Sequence, residues 1–225
     1  METRFSQLKH FGIHASDGDI GGCQDVLIDD EQWVVRYLVA DTNKWLPLSR
    51  KVVITPVSIE KVDHTNEKLH VNLSQDAVKN SPPLEAHQPV SREYESLLFR
   101  YFGYGYYWTG PGTWGEYAHP MELVDIAEQV HETAPANEEH LRSCEELEGY
   151  SIVLNDGKAG HVDDFIVQLP EWSVADLIIN LNDWLPGGKQ VKVPTHQIKH
   201  IDWAGHSIVL NMDKADLESA PDADD

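Results

Sequence analysis

His196 and His200, four residues apart, form the spacing in this sequence that most invites a metal ion. On a helix such a pair aims two imidazoles at one point, and a metalloprotease helix places a Glu directly after the first. Here Gln197 follows His196, and Val193-Pro194 before it with Ile198 and Ile201 after it read as strand and turn. The chain holds 12 histidines, and the reading is exposed loop histidines with no metal site. Carboxylates offer the next chemistry. Asp25, Asp63, Asp164 and Asp202 sit in recurring contexts, but an acid/base pair works inside one cleft and not once per half of a chain. Hydrogen bonding in turns and bulges accounts for them at less cost.

Cys23 and Cys144 complete the reactive inventory. Only Arg142 near Cys144 could lower a thiol pKa, and the two cysteines occupy unrelated contexts, which fits neither a disulfide frame nor a metal clip. There is no nucleophile elbow, phosphate loop or dinucleotide fingerprint, because the glycines at 18, 21 and 22 sit in a β-hairpin with no helix after them. The expectation is therefore no catalytic residue, no cofactor and no metal. One further stretch stands out: Tyr104, Tyr106, Tyr107, Trp108, Trp114 and Tyr117 lie among glycines between residues 103 and 117. Aromatics at that density supply large apolar area at small entropic cost and suit an interface, either between domains or with a partner.

The elements that would position these residues come from a duplication. Residues 18–82 match 157–221 at one constant offset (157 − 18 = 139) without a gap. Gly18, Gly21, Asp25, Trp33, Val35, Leu38, Trp45-Leu46-Pro47, Val52, Ile59, Asp63, Asn72 and Pro82 all recur 139 positions later. Such register marks a duplicated fold. Within the first copy, alternation predicts short strands around residues 11–15, 20–28 and 33–41, at Val52 and Ile54, and through Leu69, Val71 and Leu73. Trp33, Val35, Tyr37 and Val39 share a core face that relaxes toward a rim at Tyr37, because Asp176 replaces it in the second copy. The four tryptophans at 33, 45, 172 and 184 read as core or barrel-end plugs. Residues 75–80 read as one helical turn. Ser91 caps a helix over 92–102, with Leu98, Phe99 and Phe102 on one face and Gly103 closing it. Residues 121–137 carry only a weak pattern, Ser143 with Glu146 caps a short turn, and the acidic end from Asp216 frays.

These motifs carry a resemblance. The Gly18-x-Ile20-Gly21-x-x-x-Asp25 run, the strand Val34-Val35-Arg36-Tyr37-Leu38-Val39-Ala40-Asp41, Trp45-Leu46-Pro47 and the segment from Arg50 to Pro56 resemble the PRC-barrel family. That family takes its name from the cytoplasmic domain of the photosynthetic reaction-centre H subunit and includes the C-terminal domain of a ribosome maturation factor. The second copy is similar through His140–Ser143, Gly149-Tyr150, Asp156–Phe165 and Asn182–Gly187, but its central strand reads Ala175-Asp176-Leu177, without the arginine. The resemblance implies an all-β fold of two small antiparallel β-barrels, spanning 1–82 and 141–221. A helix and aromatic connector over 83–140 joins them, and an acidic tail covers 222–225.

The 225 residues carry a net charge of −21 from 17 basic and 38 acidic side chains. Such a chain repels a phosphate backbone, so direct nucleic-acid binding is not expected. No apolar run reaches the roughly 20 residues of a membrane span, and the N-terminus lacks a secretory layout. These features point to a soluble cytoplasmic protein. The functional expectation is a non-catalytic binding or assembly module working through a protein partner or self-association, with a homodimer as one form. The reaction-centre relative caps a membrane complex, and this chain lacks its anchor, so a free adaptor is expected. The alternative is a small-molecule binder or enzyme using a cleft lined by the aromatic connector.

Overall fold

A computed structural model describes residues 1–41, 52–82, 90–124, 140–182 and 189–224. The Trp45-Leu46-Pro47 and Trp184-Leu185-Pro186 turns and most of 121–137 lie outside these residues. The first stretch of the chain forms β1 (Glu2–Arg4), α1 (Phe5–Leu8), β2 (Gly12–Ala15), β3 (Gly18–Asp29), β4 (Val34–Asp41), β5 (Val52–Ile54), β6 (Ile59–Asp63), β7 (Lys68–Val71) and α2 (Gln75–Asn80). After α3 (Arg92–Phe102) the series repeats. It runs β8 (Leu141–Ser143), α4 (Cys144–Leu147), β9 (Ser151–Leu154), β10 (Gly157–Gln168), β11 (Ser173–Asn180), β12 (Gln190–Pro194), β13 (Ile198–Asp202), β14 (Ser207–Leu210) and α5 (Lys214–Glu218).

The duplication extends to single backbone angles. Trp33 and Trp172 both take positive φ (51° and 61°), as do Glu67 and His206 (51° and 47°), and each pair is separated by 139 positions. A bulky residue in the left-handed region is unusual, so its recurrence shows that the turns before β4 and β11, and before β7 and β14, are built alike. Asp25 and Asp164 sit where the β3·β4 and β10·β11 registers shift. Each carboxylate accepts the N–H of the next residue, at 2.7 and 2.8 Å. They brace bulges, as their turn-and-bulge reading expected. Asp63 and Asp202 accept the N–H groups of Asn66 and Gly205, three residues on, and hold hairpin turns.

The chain divides into two compact units that interleave in sequence. One contains Gln7–Arg142 with Pro170–Trp172, and is called here the repeat-one unit. The other contains Met1–Ser6, Ser143–Leu169 and Ser173–Asp225, and is called the repeat-two unit. In the repeat-one unit the strands run β4-β3-β2-β7-β6, with β5 on β4 and β8 on β3. In the repeat-two unit they run β13-β14-β9-β10-β11, with β12 on β11 and β1 on β10.

Both units are mainly β, with mixed rather than purely antiparallel sheets. The β2·β7 and β9·β14 pairs are parallel. This departs from the expected all-antiparallel arrangement. A parallel neighbour requires a long crossover, and here the chain passes through β3 to β6, and through β10 to β13, before returning. Among the described residues no ladder joins the two ends of either path into a closed barrel.

The leading strands are exchanged. At offset 139, β1 is equivalent to β8, yet β1 extends the repeat-two sheet with Thr3 opposite Val167, and β8 extends the repeat-one sheet. The flanking bonds match: Leu169 donates to the Met1 carbonyl at 2.7 Å, and Asp30 donates to the His140 carbonyl at 3.0 Å. Phe5 is fully buried, its ring edge-on to Phe165 with centroids 6.4 Å apart. The Ser6 hydroxyl and N–H both donate to the buried Asp164 carboxylate.

The acidic end is packed rather than frayed. Asp222 bridges to Val191, and the Ala223 N–H donates to the Gln190 carbonyl at 2.9 Å. Arg4 donates to the Ala223 carbonyl at 2.9 Å and to Asp224 at 2.8 Å. Pairing with a strand and with a cation gives this acidic segment partners that composition alone does not reveal.

Phe5→Ala is expected to destabilise the repeat-two unit by about 3–5 kcal/mol, the usual range for truncating a buried Phe. Hydrogen exchange should then accelerate at Phe165 to Val167 ahead of β2 and β3. Faster exchange in β2 and β3 alone would contradict the exchanged grouping.

Candidate functional site

A buried set of titratable side chains in the repeat-one unit forms around Arg36 and Glu95. β4 is buried along seven of its eight residues, so side chains on both of its faces lie inside the protein. Arg36 is 1% exposed. Its guanidinium lies 3.7 Å from the Tyr107 ring centre and 4.9 Å from that of Trp114. Nη1 donates to the Thr113 carbonyl, and Nη2 donates to Asp29 Oδ2 at 3.2 Å and Gln32 Oε1 at 2.7 Å. The turn carrying the last two is folded by Asp29 itself, whose Oδ1 accepts the N–H groups of Glu31 and Gln32. A desolvated guanidinium over aromatic faces gains about 2 kcal/mol or more, and Asp29 offsets its charge. Arg36 Nε has no hydrogen-bond partner.

The connector delivers its carbonyl and rings through its glycines. Gly112 and Gly115 bridge, with the Gly112 N–H donating to the Gly115 carbonyl at 2.8 Å. Gly115 has a φ of 73°, and a Cβ on Gly110 would lie 2.3 Å from the Gly115 carbonyl carbon. Only glycine permits such an approach, and the resulting loop presents Thr113 and Trp114 to Arg36.

Glu95 reaches the cluster from α3, whose start is capped by Ser91 accepting from Tyr94 at 3.2 Å. Gly103 at φ 75° ends the helix. Glu95 is 2% exposed, and Oε1 accepts from Tyr37 at 2.9 Å and Tyr107 at 2.7 Å. Oε2 pairs with Arg92 Nη1 at 3.0 Å. Arg92 also donates to Tyr107 Oη at 2.7 Å and lies 4.4 Å from the Trp108 ring centre. Phe99 closes the cluster, with ring centroids 6.5 Å from Tyr37, 5.8 Å from Tyr107 and 5.7 Å from Trp108.

Burial raises the Glu95 carboxyl above its usual range, outweighing the opposing pull of Arg92, Tyr107 and Tyr37. Burial likewise pushes the Tyr37 and Tyr107 hydroxyls up, and the neighbouring Glu95 charge adds to it. Both tyrosines therefore stay protonated and remain donors at neutral pH.

Of the six connector aromatics singled out as a candidate interface, Tyr104, Tyr106, Tyr107 and Trp114 are buried. Trp108 and Tyr117 are half-buried. The Tyr104 hydroxyl donates to Ser58 Oγ at 3.1 Å, Tyr106 stacks on Trp108 with centroids 4.6 Å apart, and Trp114 Nε1 donates to the Glu171 carbonyl at 2.8 Å. Tyr37, expected near a rim, is fully buried, because α3 places Glu95 and Phe99 against it. Phe102, expected on the buried helix face, is only half-buried, and Glu95 stands among the buried residues instead.

Trp172 is buried and Trp33 half-buried. Cys23 and Cys144 are both buried, and burial pushes the Cys23 thiol up to about 12. His196 falls in a short 3₁₀ turn and His200 in β13. Among the described residues no group of three or more His, Cys, Asp or Glu is placed to hold a metal ion, and no helix is long and apolar enough to cross a membrane. Comparison of the chain with models of known families and with curated proteins finds no match.

The second copy carries none of this cluster. Arg36, Tyr37, Asp29 and Gln32 correspond to Ala175, Asp176, Gln168 and Glu171, and among the described residues of the repeat-two unit no helix corresponds to α3. Asp176 is half-buried, and burial raises its carboxyl above the usual range.

Arg36→Ala is expected to cost about 3–5 kcal/mol in chemical denaturation, because it leaves Asp29 and the Thr113 carbonyl without their cation. Glu95 generates a pH prediction. Its folded-state pKa lies above the unfolded value of 4.5, so its contribution to stability is complete below that pH and is lost as pH rises through the folded value. The stability of the wild type relative to Glu95→Gln should therefore fall as pH rises from about 4.5 through the folded value. A difference that grew with pH would show that Arg92 outweighs burial.

Proposed function

We propose that this protein is a non-catalytic binding and assembly module of the PRC-barrel type, built from two tandem barrel-like units and acting through protein–protein contacts. The observation that carries this reading is the Glu95 carboxylate, whose oxygens are taken by Tyr37, Tyr107 and Arg92. Side chains that would have to meet a substrate are instead spent on holding α3 and the connector to the sheet. A general acid or base needs a free oxygen within reach of the proton it moves.

The motifs at 18–25, 34–41 and 140–165 support the barrel assignment, as do two units of the same element order. The surface that offers contact is the outer side of α3, where Leu97 is 50% and Tyr101 42% exposed, one turn apart. Met121 is 48% exposed on the short 3₁₀ turn Pro120–Leu123. With a net charge of −21, the contact is with a second copy or another protein and not with a phosphate backbone.

Light scattering over a concentration series, combined with affinity capture by the full chain, tests the reading. The expected result is a mass above the 25.4 kDa monomer or a saturable protein partner. Leu97→Glu with Tyr101→Glu should weaken that association at least about tenfold, as removal of central apolar contacts does. A partnerless monomer at every concentration would sink the proposal.

A further inference from the structure

The parallel pair β2·β7 places His14 opposite His70, and the antiparallel pair β2·β3 places His14 opposite Asp19. Residues directly opposite in a sheet share a face, so all three side chains stand together on the repeat-one sheet. The two imidazole rings are 5.4 Å apart between centroids, with an interplanar angle of 74°. His14 Nδ1 lies 2.7 Å from Asp19 Oδ1. An imidazole that donates through Nδ1 to a carboxylate keeps its Nε2 lone pair free for a metal, and the carboxylate fixes the ring.

We propose that His14 and His70 form a two-imidazole site for a divalent first-row transition ion such as Zn²⁺, with Asp19 orienting His14 and water filling the remaining positions.

The spacing fits. With metal–nitrogen distances of 2.0–2.1 Å and a near-tetrahedral angle, two bound imidazoles have ring centres about 5–5.5 Å apart. The His14 side chain is 35% exposed and His70 is half-buried, so an ion can enter and water can complete its shell. The second copy is an internal comparison. Its equivalents are Val153, Val209 and Lys158, and the same register holds: Val153 lies opposite Val209 and opposite Lys158. A β-branched pair is an ordinary occupant of neighbouring strands. In the first copy the pair is instead two imidazoles, with a carboxylate beside one of them. Two cations also face the group. Lys68 Nζ lies 3.6 Å from Asp19 Oδ1, and Lys61, opposite His70, is held by Asp63 at 2.7 Å. Neither has a lone pair to offer while charged, and both reduce affinity without occupying the imidazole nitrogens.

The test is a Zn²⁺ titration of the full chain, followed by calorimetry and by the ring resonances of its histidines. The wild type should bind one equivalent that His14→Val/His70→Val, which reproduces the second-copy pair, does not bind. The His14 and His70 ring signals should shift together. Each single Val substitution should weaken the site at least tenfold, and Asp19→Asn about tenfold. Zn²⁺ should raise the melting temperature of the wild type and not of the double variant. Equal stoichiometry and affinity in wild type and double variant, or His14 and His70 rings that do not respond to Zn²⁺, would overturn the proposal. Should the double variant fail to fold, the wild-type ring signals and the single variants decide the matter alone.

Discussion

A carboxylate removed from water must be met by donors, and the repeat-one unit is arranged around meeting that of Glu95. The desolvation of an unpaired ion costs several kcal/mol even after relaxation, so α3 can lie on β4 only if Tyr37, Tyr107 and Arg92 arrive with it. Tyr107 in turn lies against Arg36, and Arg36 needs Thr113, Asp29 and Gln32. The partners come from several segments: β4, the end of β3 and the turn after it, the helix and the glycine-rich connector. Because a half-satisfied network is worse than none, these segments are bound to form together, and the connector is thereby made part of the unit instead of a tether.

Strand positions and helix caps were legible in the sequence because they depend on local rules. Period-two alternation marked β2 to β4 and their later equivalents, and Ser91 and Gly103 marked both ends of α3. Asp25, Asp63, Asp164 and Asp202 were readable as turn and bulge residues for the same reason. The burial of Glu95 was not read, since an acidic residue on a short helix ordinarily faces water. A signal was present: positions 95, 98, 99 and 102 form one i, i+3, i+4, i+7 stripe, and Arg92 stands one turn earlier. Asp176 is a poor guide to the surroundings of Tyr37, because α3 covers Tyr37 and the repeat alone does not encode that helix. Parallel pairing and the destination of β1 are non-local, and three-residue strands carry no mark of their partner.

Duplication followed by divergence explains why the two halves share backbone angles but not side-chain chemistry. Trp33 and Trp172 keep the same left-handed turn, while Arg36 and Tyr37 answer to Ala175 and Asp176, and His14 and His70 to Val153 and Val209. Backbone geometry is held by register and bulges common to both copies. Polar clusters depend on what each copy packs against, and among the described residues α3 and the glycine loop belong to the repeat-one unit.

The traded leading strands have a consequence for how the polypeptide is made. A chain leaving the ribosome releases Glu2–Arg4 long before Gln168–Ile166, its partners in the ladder, have been translated. The first half in turn lacks the edge supplied by Leu141 and Arg142 until those residues have been translated. Neither globule can therefore be finished in the vectorial order that lets successive domains fold one by one. Thr3 pairs with Val167 (167 − 3 = 164 positions away), and closing so distant a contact delays the final cooperative step. Through that interval Glu2–Arg4 waits without its ladder, and a protease that cuts after it separates the strand from the half not yet born.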